Sequence, residues 1–173
     1  TWAVIAFVLL STSVSWGGAL DGKAIVCNCE KQHSWGMIEL NNKNEIVRRE
    51  ETTACYPIHQ HIGVKFKKKY AHKYVFWTEQ DKIEIRHDHP KGKGTFFSLD
   101  SDKVEWTELE KFQVTLHRKT LKLTIKTDYT DKLGNLKSYQ CKVYNSSDYD
   151  SEMNRLLHYM QRKYDSSTSG NKI

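Results

Sequence analysis

Two His-x-His motifs are the residues of this chain whose types and spacing point most directly to chemistry. They are His59-Gln60-His61 and His87-Asp88-His89, accompanied by Cys27-Asn28-Cys29. On a β-strand, residues two apart lie on one face, about 7 Å from each other. Two imidazoles so placed can share one zinc or copper ion. Such a site requires the four histidines to converge from different strands, and the alternative is that they are separate surface residues.

A stretch rich in lysine and aromatic residues, Val64 to Trp77, is the second candidate. Its lysines are Lys65, Lys67, Lys68, Lys69 and Lys73. Folds that bind nucleic acids or other polyanions use such mixtures, with lysines meeting phosphates and exposed rings stacking on bases. Successive strand residues point to opposite faces, so Phe76 and Trp77 fall on different faces, and at least one face must be core. A solvated basic face that only aids solubility is the alternative.

Motifs of the common enzyme classes are missing from the sequence. It has no Gly-x-Ser-x-Gly elbow, no glycine-rich phosphate loop and no His-Glu-x-x-His zinc helix. The carboxylates of Glu105, Glu108 and Glu110 lie beside a turn, where solvated acids are common. We therefore assign no catalytic residue, expect no cofactor and favour a non-catalytic protein over an enzyme.

The chain has four cysteines, Cys27, Cys29, Cys55 and Cys141. In an exported protein an even count predicts disulfides, here two with three possible pairings. A direct bridge between Cys27 and Cys29 would close a very tight ring, so we expect each of them to reach a distant partner. A bridge to Cys141 would tie the first strand to the last.

Alternation of apolar and polar residues predicts that strands position these groups. In Phe112–His117 and Leu121–Thr127 every second residue is apolar, as a half-solvated antiparallel strand requires. The other predicted strands are Lys23–Cys29, Trp35–Leu40, Glu45–Arg49, Ile62–Phe66, Tyr70–Thr78, Lys82–His87, Thr95–Leu99, Lys103–Thr107 and Leu136–Tyr144. Turn residues separate them. The pattern predicts an all-β fold, an antiparallel meander closed as a barrel or packed as a two-sheet sandwich.

One C-terminal α-helix is predicted over residues 148–164. Ser147 and Asp150 form a capping-box pattern, and Met153, Leu156 and Met160 follow at helical spacing. We expect this apolar stripe to lie against the sheet or across one end of a barrel. Residues 165–173 are polar and rich in serine, so they are expected to form a disordered tail.

The apolar run of residues 2–10, followed by small residues, has the outline of a secretory signal. We expect a signal peptide over residues 1–19, with cleavage after Ala19, and a single β-rich domain with the helix over 20–164. The run is too short to anchor the chain in a bilayer. The mature protein is expected to be secreted or periplasmic, without a transmembrane anchor, and monomeric.

The number of strands, the disulfides and the C-terminal helix give the chain an overall plan that resembles the lipocalins, whose barrels hold small apolar ligands. The Gly-x-Trp signature of that family is absent, because Trp35-Gly36 has the two residues adjacent and reversed. The resemblance implies a carrier only where the barrel encloses a cavity.

Three short motifs near the C-terminus carry a second resemblance. Arg118–Leu123, Tyr139–Val143 and Asn171–Ile173 are similar to segments of small, signal-bearing, uncharacterised proteins of marine bacteria and their phages. The similarity is confined to the C-terminal half and implies only an envelope or secreted location.

The net charge of +6 is concentrated in the lysine cluster and in the C-terminal third of the chain. Such a field favours an anionic macromolecule or surface as the partner. We therefore predict an exported binding protein that meets this partner through its basic face. A carrier of a small apolar ligand and a metal-binding protein that uses the His-x-His motifs are the alternatives.

Overall fold

A computed structural model describes residues 20–32, 34–40, 42–43, 46–52, 55, 57–89, 91–110, 112–127 and 136–169. The strands are β1 Ala24–Gln32, β2 Ser34–Leu40, β3 Ile46–Thr52, β4 His61–Lys67, β5 Tyr70–Glu79, β6 Lys82–His87, β7 Thr95–Leu99, β8 Lys103–Glu108, β9 Phe112–His117, β10 Lys122–Thr127 and β11 Leu136–Tyr144. All of the predicted strands are therefore found, with ends shifted by three residues or fewer. The expected signal peptide, residues 1–19, lies outside the described residues.

Eight antiparallel strands close into a barrel. Their order is β4-β1-β11-β10-β9-β8-β7-β5, and β5 pairs again with β4. β6 extends the sheet along the second half of β5, and β2 and β3 form a separate two-stranded sheet. Closure pairs both sides of every barrel strand. Of the two predicted architectures, the chain therefore adopts the barrel.

Apolar side chains that alternate with outward-facing residues along the strands fill much of the barrel interior. Val114 and Leu116 of β9 and Leu123 of β10 are fully buried, whereas Gln113, His117 and Lys122 beside them are exposed. The other interior strand residues are Ile25, Cys27, Ile62, Val64, Phe66, Ala71, Phe97, Val104, Trp106, Ile125, Tyr139 and Cys141. The alternation seen in the sequence is thus the division between the barrel core and its surface.

The helix α1, Ser146–Ser169, packs on the outer face of the barrel against β1, β4, β6 and β11. Its buried residues are Tyr149, Met153, Leu156 and Met160. They cover Ala24 and Val26 of β1 and Phe76 of β5. Because β1 has the helix on one face and the core on the other, its first four residues are apolar without alternation.

The helix differs at both ends from the sequence prediction. Its cap is Asn145 rather than Ser147, because Asn145 Oδ1 accepts the backbone N–H of Asp148 at 2.9 Å. It continues through residues 165–169, which were expected in a disordered tail, and residues 170–173 lie outside the described part. Tyr164 donates its hydroxyl to Asp81 Oδ1 at 3.0 Å, and Gln161 Nε2 donates to Asp165 Oδ1 at 2.8 Å, so side-chain contacts hold the last turns.

Helix α1 also contacts the backbone of β6. Gln161 Oε1 accepts the backbone N–H of Ile83 at 2.7 Å, and Gln161 Nε2 donates to the carbonyl of Asp81 at 3.1 Å. One glutamine therefore fixes the helix to the β5–β6 hairpin.

Two disulfides brace the barrel. Cys27 and Cys141 are direct cross-strand partners on β1 and β11, with Cα atoms 3.9 Å apart, and their bond links residues separated by 114 positions. Cys29 bonds to Cys55, 26 positions away. The expectation that Cys27 and Cys29 each reach a distant partner is confirmed.

Candidate functional site

A cavity of about 360 Å³ lies inside one end of the barrel. Toward the other end aromatic rings fill the interior, where Phe66 meets Phe97 and Trp106 edge-on at centroid distances of 5.5 and 6.2 Å. The cavity is lined by Ile62, Val75, Leu109, Phe112, Ile125, Tyr139, His59, Lys73, Asp88 and Lys137. Its volume is within the range of small-ligand pockets.

The apolar wall follows from strand alternation. Ile62 of β4 and Val75 of β5 are cross-strand partners, and Ile125 of β10 lies on another side of the barrel. All three occupy inward positions, and none of them is long enough to fill the interior as the aromatic rings do. Phe112, the first residue of β9, adds a ring to the same wall. A chain or ring of an apolar ligand would meet carbon on several sides.

Lys73 projects into the barrel rather than toward solvent. Its ammonium contacts Glu108 closely and lies 2.6 Å from Asp88 Oδ2. Trp106 Nε1 donates to the other Glu108 oxygen at 2.8 Å. Burial opposes the charged form of Lys73, but the two carboxylates outweigh it and raise its pKa. The lysine predicted to be part of an anion-binding face is thus a buried, neutralised ion-pair partner, because its alternation places it between Ala71 and Val75.

Lys137 is the second cation on the cavity wall. It occupies an inward position of β11, two residues before the buried Tyr139, and its side chain is half-buried. No ion pair among the described residues includes it. Burial lowers the pKa of Lys137, and the nearby positive charge of Lys73 lowers it further. The charge of Lys137 is therefore poorly compensated by the protein.

His59 and Tyr139 complete the polar part of the lining. Burial lowers the pKa of His59 and the charge of Lys137 adds to this, so the imidazole is neutral at pH 7. Burial raises the pKa of Tyr139, with Asp88 and Glu108 acting in the same direction, so its phenol stays protonated. The cavity therefore offers neutral hydrogen-bonding groups and, in Lys137, one ammonium that has no ion-pair partner among the described residues. This arrangement suits retention of a ligand.

The two His-x-His motifs do not form one cluster. His59 lines the cavity, whereas His61 lies against Phe76 and Tyr159 on the helix side of the barrel, its Nδ1 2.7 Å from Asn28 Oδ1. His87 Nε2 is 3.2 Å from Nδ1 of His72, and His89 follows it in the turn. Among the residues that the structure describes, no three His, Cys, Asp or Glu side chains are placed to hold a metal ion.

The remaining lysines of the predicted basic face lie on the outside of the barrel. Lys65 pairs with Asp150 at 2.7 Å, with its ammonium 4.8 Å from the centre of the Tyr149 ring. Lys67 ends β4, and Lys68 and Lys69 form the turn into β5, all three exposed. An outer groove of about 590 Å³ is lined by Lys23, Lys65, Lys67 and His72 among others.

Exposed aromatic rings lie beside these lysines. Tyr70 is the cross-strand partner of both Lys67 and Phe96, so the three share the outer face of β4, β5 and β7. Tyr70 is 47% exposed and Phe96 60% exposed, with ring centroids 6.2 Å apart. Phe96 was not singled out from the sequence, because its alternation with Phe97 does not say which of the two faces water.

Sequence reasoning also missed Lys137, Asp88 and Tyr139 as neighbours of one cavity. A signal existed for two of them, because residues 137, 139 and 141 share one face of a strand, and a bridge to Cys141 would tie that strand to the first. Asp88 follows β6, and nothing local in the sequence indicates its approach to Lys73.

Comparisons with known proteins give no relative. No family model matches the chain, and no curated protein or solved structure matches it either. The fold itself defines the class, a closed eight-stranded antiparallel barrel with an external C-terminal helix. Within the described residues, no helix has both the length and the apolar character needed to cross a bilayer.

Proposed function

We propose that this protein is a non-catalytic carrier that holds a small, largely apolar molecule inside its barrel. The observation that carries the proposal is the cavity of about 360 Å³ bounded by Ile62, Val75, Phe112 and Ile125. Ligand pockets are concave and mostly apolar, with a few convergent polar groups that fix orientation. The cavity combines such a wall with His59 and Lys137 at its polar side.

A neutral fluorescent probe tests the carrier function. N-phenyl-1-naphthylamine brightens when it leaves water for an apolar site, so it is expected to bind the wild-type protein saturably. Ile125→Trp fills the cavity from β10, and Val75→Phe fills it from β5; both are expected to lose probe binding. Lys126→Trp changes the adjacent, outward-facing residue and is expected to bind like wild type. Saturable binding that persists in both cavity-filling variants would rule out the cavity as the site.

Recognition of an anionic macromolecule by the outer face is a second candidate function. It is supported by the exposed Tyr70 and Phe96 rings beside Lys67 and by the lysine-lined groove next to them. Exposed rings can stack on bases while lysines meet phosphates, an arrangement that binds single strands with little sequence preference. Lys73 contributes nothing to this face.

Fluorescence anisotropy of a labelled oligothymidine tests this second candidate. Affinity is expected to fall with salt, and Lys67→Gln is expected to reduce the slope of log affinity against log salt by about one. Phe96→Ser is expected to weaken binding without changing that slope. Lys126→Gln, on the exposed face of a strand distant in the barrel order, is the control. Equal losses in all three variants would point to non-specific charge attraction.

We infer that the protein works outside the cytoplasm, in a secreted or periplasmic location, as a monomer. The two disulfides support export, because such bonds persist mainly in oxidising compartments. Expression with and without an export signal, followed by thiol labelling, tests this; full labelling of the exported form would contradict it.

A further inference from the structure

We propose that the ligand held in the barrel is an amphipathic monoanion, an apolar chain or ring that carries one carboxylate, and that Lys137 binds this carboxylate. The inference rests on the proposed carrier function and names the chemical class of its ligand. It follows from a difference between two lysines on the cavity wall. Lys73 has carboxylate partners within the protein, whereas Lys137 has no ion-pair partner among the described residues.

Among the described residues that line the cavity, one cation is available to a ligand. The ammonium of Lys73 is already shared between Asp88 and Glu108. Lys137 lines the same cavity, is half-buried and takes part in no ion pair among the described residues. A half-buried charge without a partner is unfavourable, so an anion that enters the cavity gains an interaction that water there supplies poorly.

The field at Lys137 also selects the sign of the ligand charge. Burial lowers the pKa of Lys137, the Lys73 ammonium lowers it further, and Asp88 opposes them less strongly. His59 faces the cavity as a neutral imidazole and adds no charge of its own. An anionic group beside Lys137 therefore relieves a repulsion, whereas a cationic group increases it.

The rest of the lining limits the ligand to a single charge with an apolar remainder. Beyond Lys73 and Lys137, no lysine or arginine lines the cavity in the described part of the chain. Ile62, Val75 and Phe112 line the wall that the remainder of the ligand would contact. A second carboxylate would have to lose water against this apolar wall or against Asp88, and both are unfavourable.

Isothermal titration calorimetry with decanoate, decanol and decylamine tests the inference. The three probes share an alkyl chain and differ in the charge of the head group. Wild-type protein is expected to bind decanoate at least about tenfold more tightly than decanol, and decylamine most weakly, since a charge-assisted hydrogen bond is worth one tenfold step or more. Lys137→Met is expected to bring decanoate and decanol within about twofold of each other.

Two control variants separate charge from fold. Lys142→Met changes an outward-facing residue of the same strand and is expected to retain the wild-type preference for decanoate. Lys137→Arg keeps the positive charge and is expected to retain most of the preference, which guards against a misfolded Lys137→Met protein. As pH rises into the alkaline range the wild-type preference is expected to decline at lower pH than in Lys137→Arg, because a lysine with a lowered pKa loses its charge first.

The outcomes distinguish the inference from the function on which it rests. Decanol that binds wild type as tightly as decanoate overturns the monoanion inference and leaves the carrier function in place. A decanoate preference that survives Lys137→Met while the protein stays folded overturns the role of Lys137. Failure of all three probes, together with failure of the neutral naphthylamine probe, overturns both the carrier function and the inference.

Discussion

The ammonium of Lys73 lies inside the barrel because Asp88 and Glu108 replace the water that it loses on burial. A buried ion pair contributes little compared with an apolar residue of the same size, but removal of one member leaves a charge in a poor solvent. Removal of Lys73 should lower stability strongly, because Glu108 is itself buried and also accepts the indole N–H of Trp106.

Lys73→Met is therefore expected to lower the free energy of unfolding by about 3 to 5 kcal/mol. Guanidinium denaturation followed by tryptophan fluorescence measures this change. Lys67→Met, in an exposed position of the neighbouring strand, is the matched control and is expected to change stability by no more than about 0.5 kcal/mol. Equal, small changes in both variants would show that the Glu108 carboxylate finds another partner.

His61 is a buried imidazole with one unsatisfied nitrogen. Its Nδ1 is hydrogen bonded to Asn28 Oδ1, and its Nε2 is buried without a partner. Protonation would place a second N–H where nothing accepts it. Burial is accordingly the main reason that the pKa of His61 is lowered from 6.5; Arg155 and Lys163 of the helix lower it further and Glu152 opposes them.

This lowered pKa predicts a loss of stability in mild acid. As pH falls below 6.5 the unfolded chain takes up a proton at His61 before the folded chain does, so the free energy of unfolding falls until the folded pKa is passed. His61→Gln is expected to flatten the fall in melting temperature over this range, although His59 and His72 retain a contribution of the same sign. His158→Gln, exposed on the helix, is expected to keep the wild-type slope, and a slope unchanged in His61→Gln would contradict this account.

At the scale of elements, helix α1 lies close to the backbone of the barrel at Gly63 of β4. A Cβ atom there would overlap the Tyr149 hydroxyl and lie 2.9 Å from Met153 Sδ. The glycine thus allows the helix to approach the sheet. The Tyr149 hydroxyl is buried and has no hydrogen-bond partner, so this contact combines close packing with an unsatisfied polar group.

Gly63→Ala is expected to destabilise the protein by about 1 to 3 kcal/mol, because the helix must move outward. Tyr149→Phe alone is expected to be neutral or stabilising, since it removes a buried hydroxyl that bonds nothing. Combined with Gly63→Ala it is expected to recover part of the lost stability, because the overlapping atom is gone. Thermal denaturation of the two single variants and the double variant gives the coupling; strictly additive effects would contradict the predicted overlap.

The strands could be predicted because apolar and polar residues alternate along them, as side chains point alternately to the core and to solvent. Phe112–His117 alternates at every position, and its observed bounds are those predicted. The helix was predicted from the spacing of Met153, Leu156 and Met160, because side chains three or four positions apart lie on one face of a helix. Its ends were less accurate, because they depend on contacts such as Tyr164 with Asp81 that join residues far apart in the chain.

The candidate site could be predicted only in part, because it assembles from strands that are distant in sequence. Lys73 carries the same charge and lies in the same cluster as Lys67, and only the positions of the two residues on their strands, β5 for Lys73 and β4 for Lys67, place the one inward and the other outward. The volume of the cavity depends on how several interior side chains combine across the barrel. No single segment of the sequence contains that information.

At the scale of the whole molecule, the Cys27–Cys141 bond joins two neighbouring barrel strands that come from opposite ends of the described chain. In the chain-entropy model a link across 114 positions stabilises the folded state by roughly 4 to 5 kcal/mol. The Cys29–Cys55 link across 26 positions is worth about 3 to 4 kcal/mol in the same model.

The paired replacement of Cys27 and Cys141 by alanine is therefore expected to destabilise the protein by about 1 kcal/mol more than the paired replacement of Cys29 and Cys55. Chemical denaturation of the two double variants under non-reducing conditions measures the difference. The two proteins keep the same number of cysteines, so each is the control for the other. A larger loss from the Cys29–Cys55 pair would mean that tethering the segment beside the cavity matters more than loop length.

The contact between Gln161 and Ile83 has a consequence for self-association. β6 is paired with β5 on one side only among the described strands, and an unpaired edge can recruit the edge of another chain and extend into an aggregate. The glutamine amide accepts the backbone N–H of Ile83 on this edge, and helix α1 packs against the same strand. A side chain of α1 thus takes up one of the backbone donors through which this edge could pair with another strand.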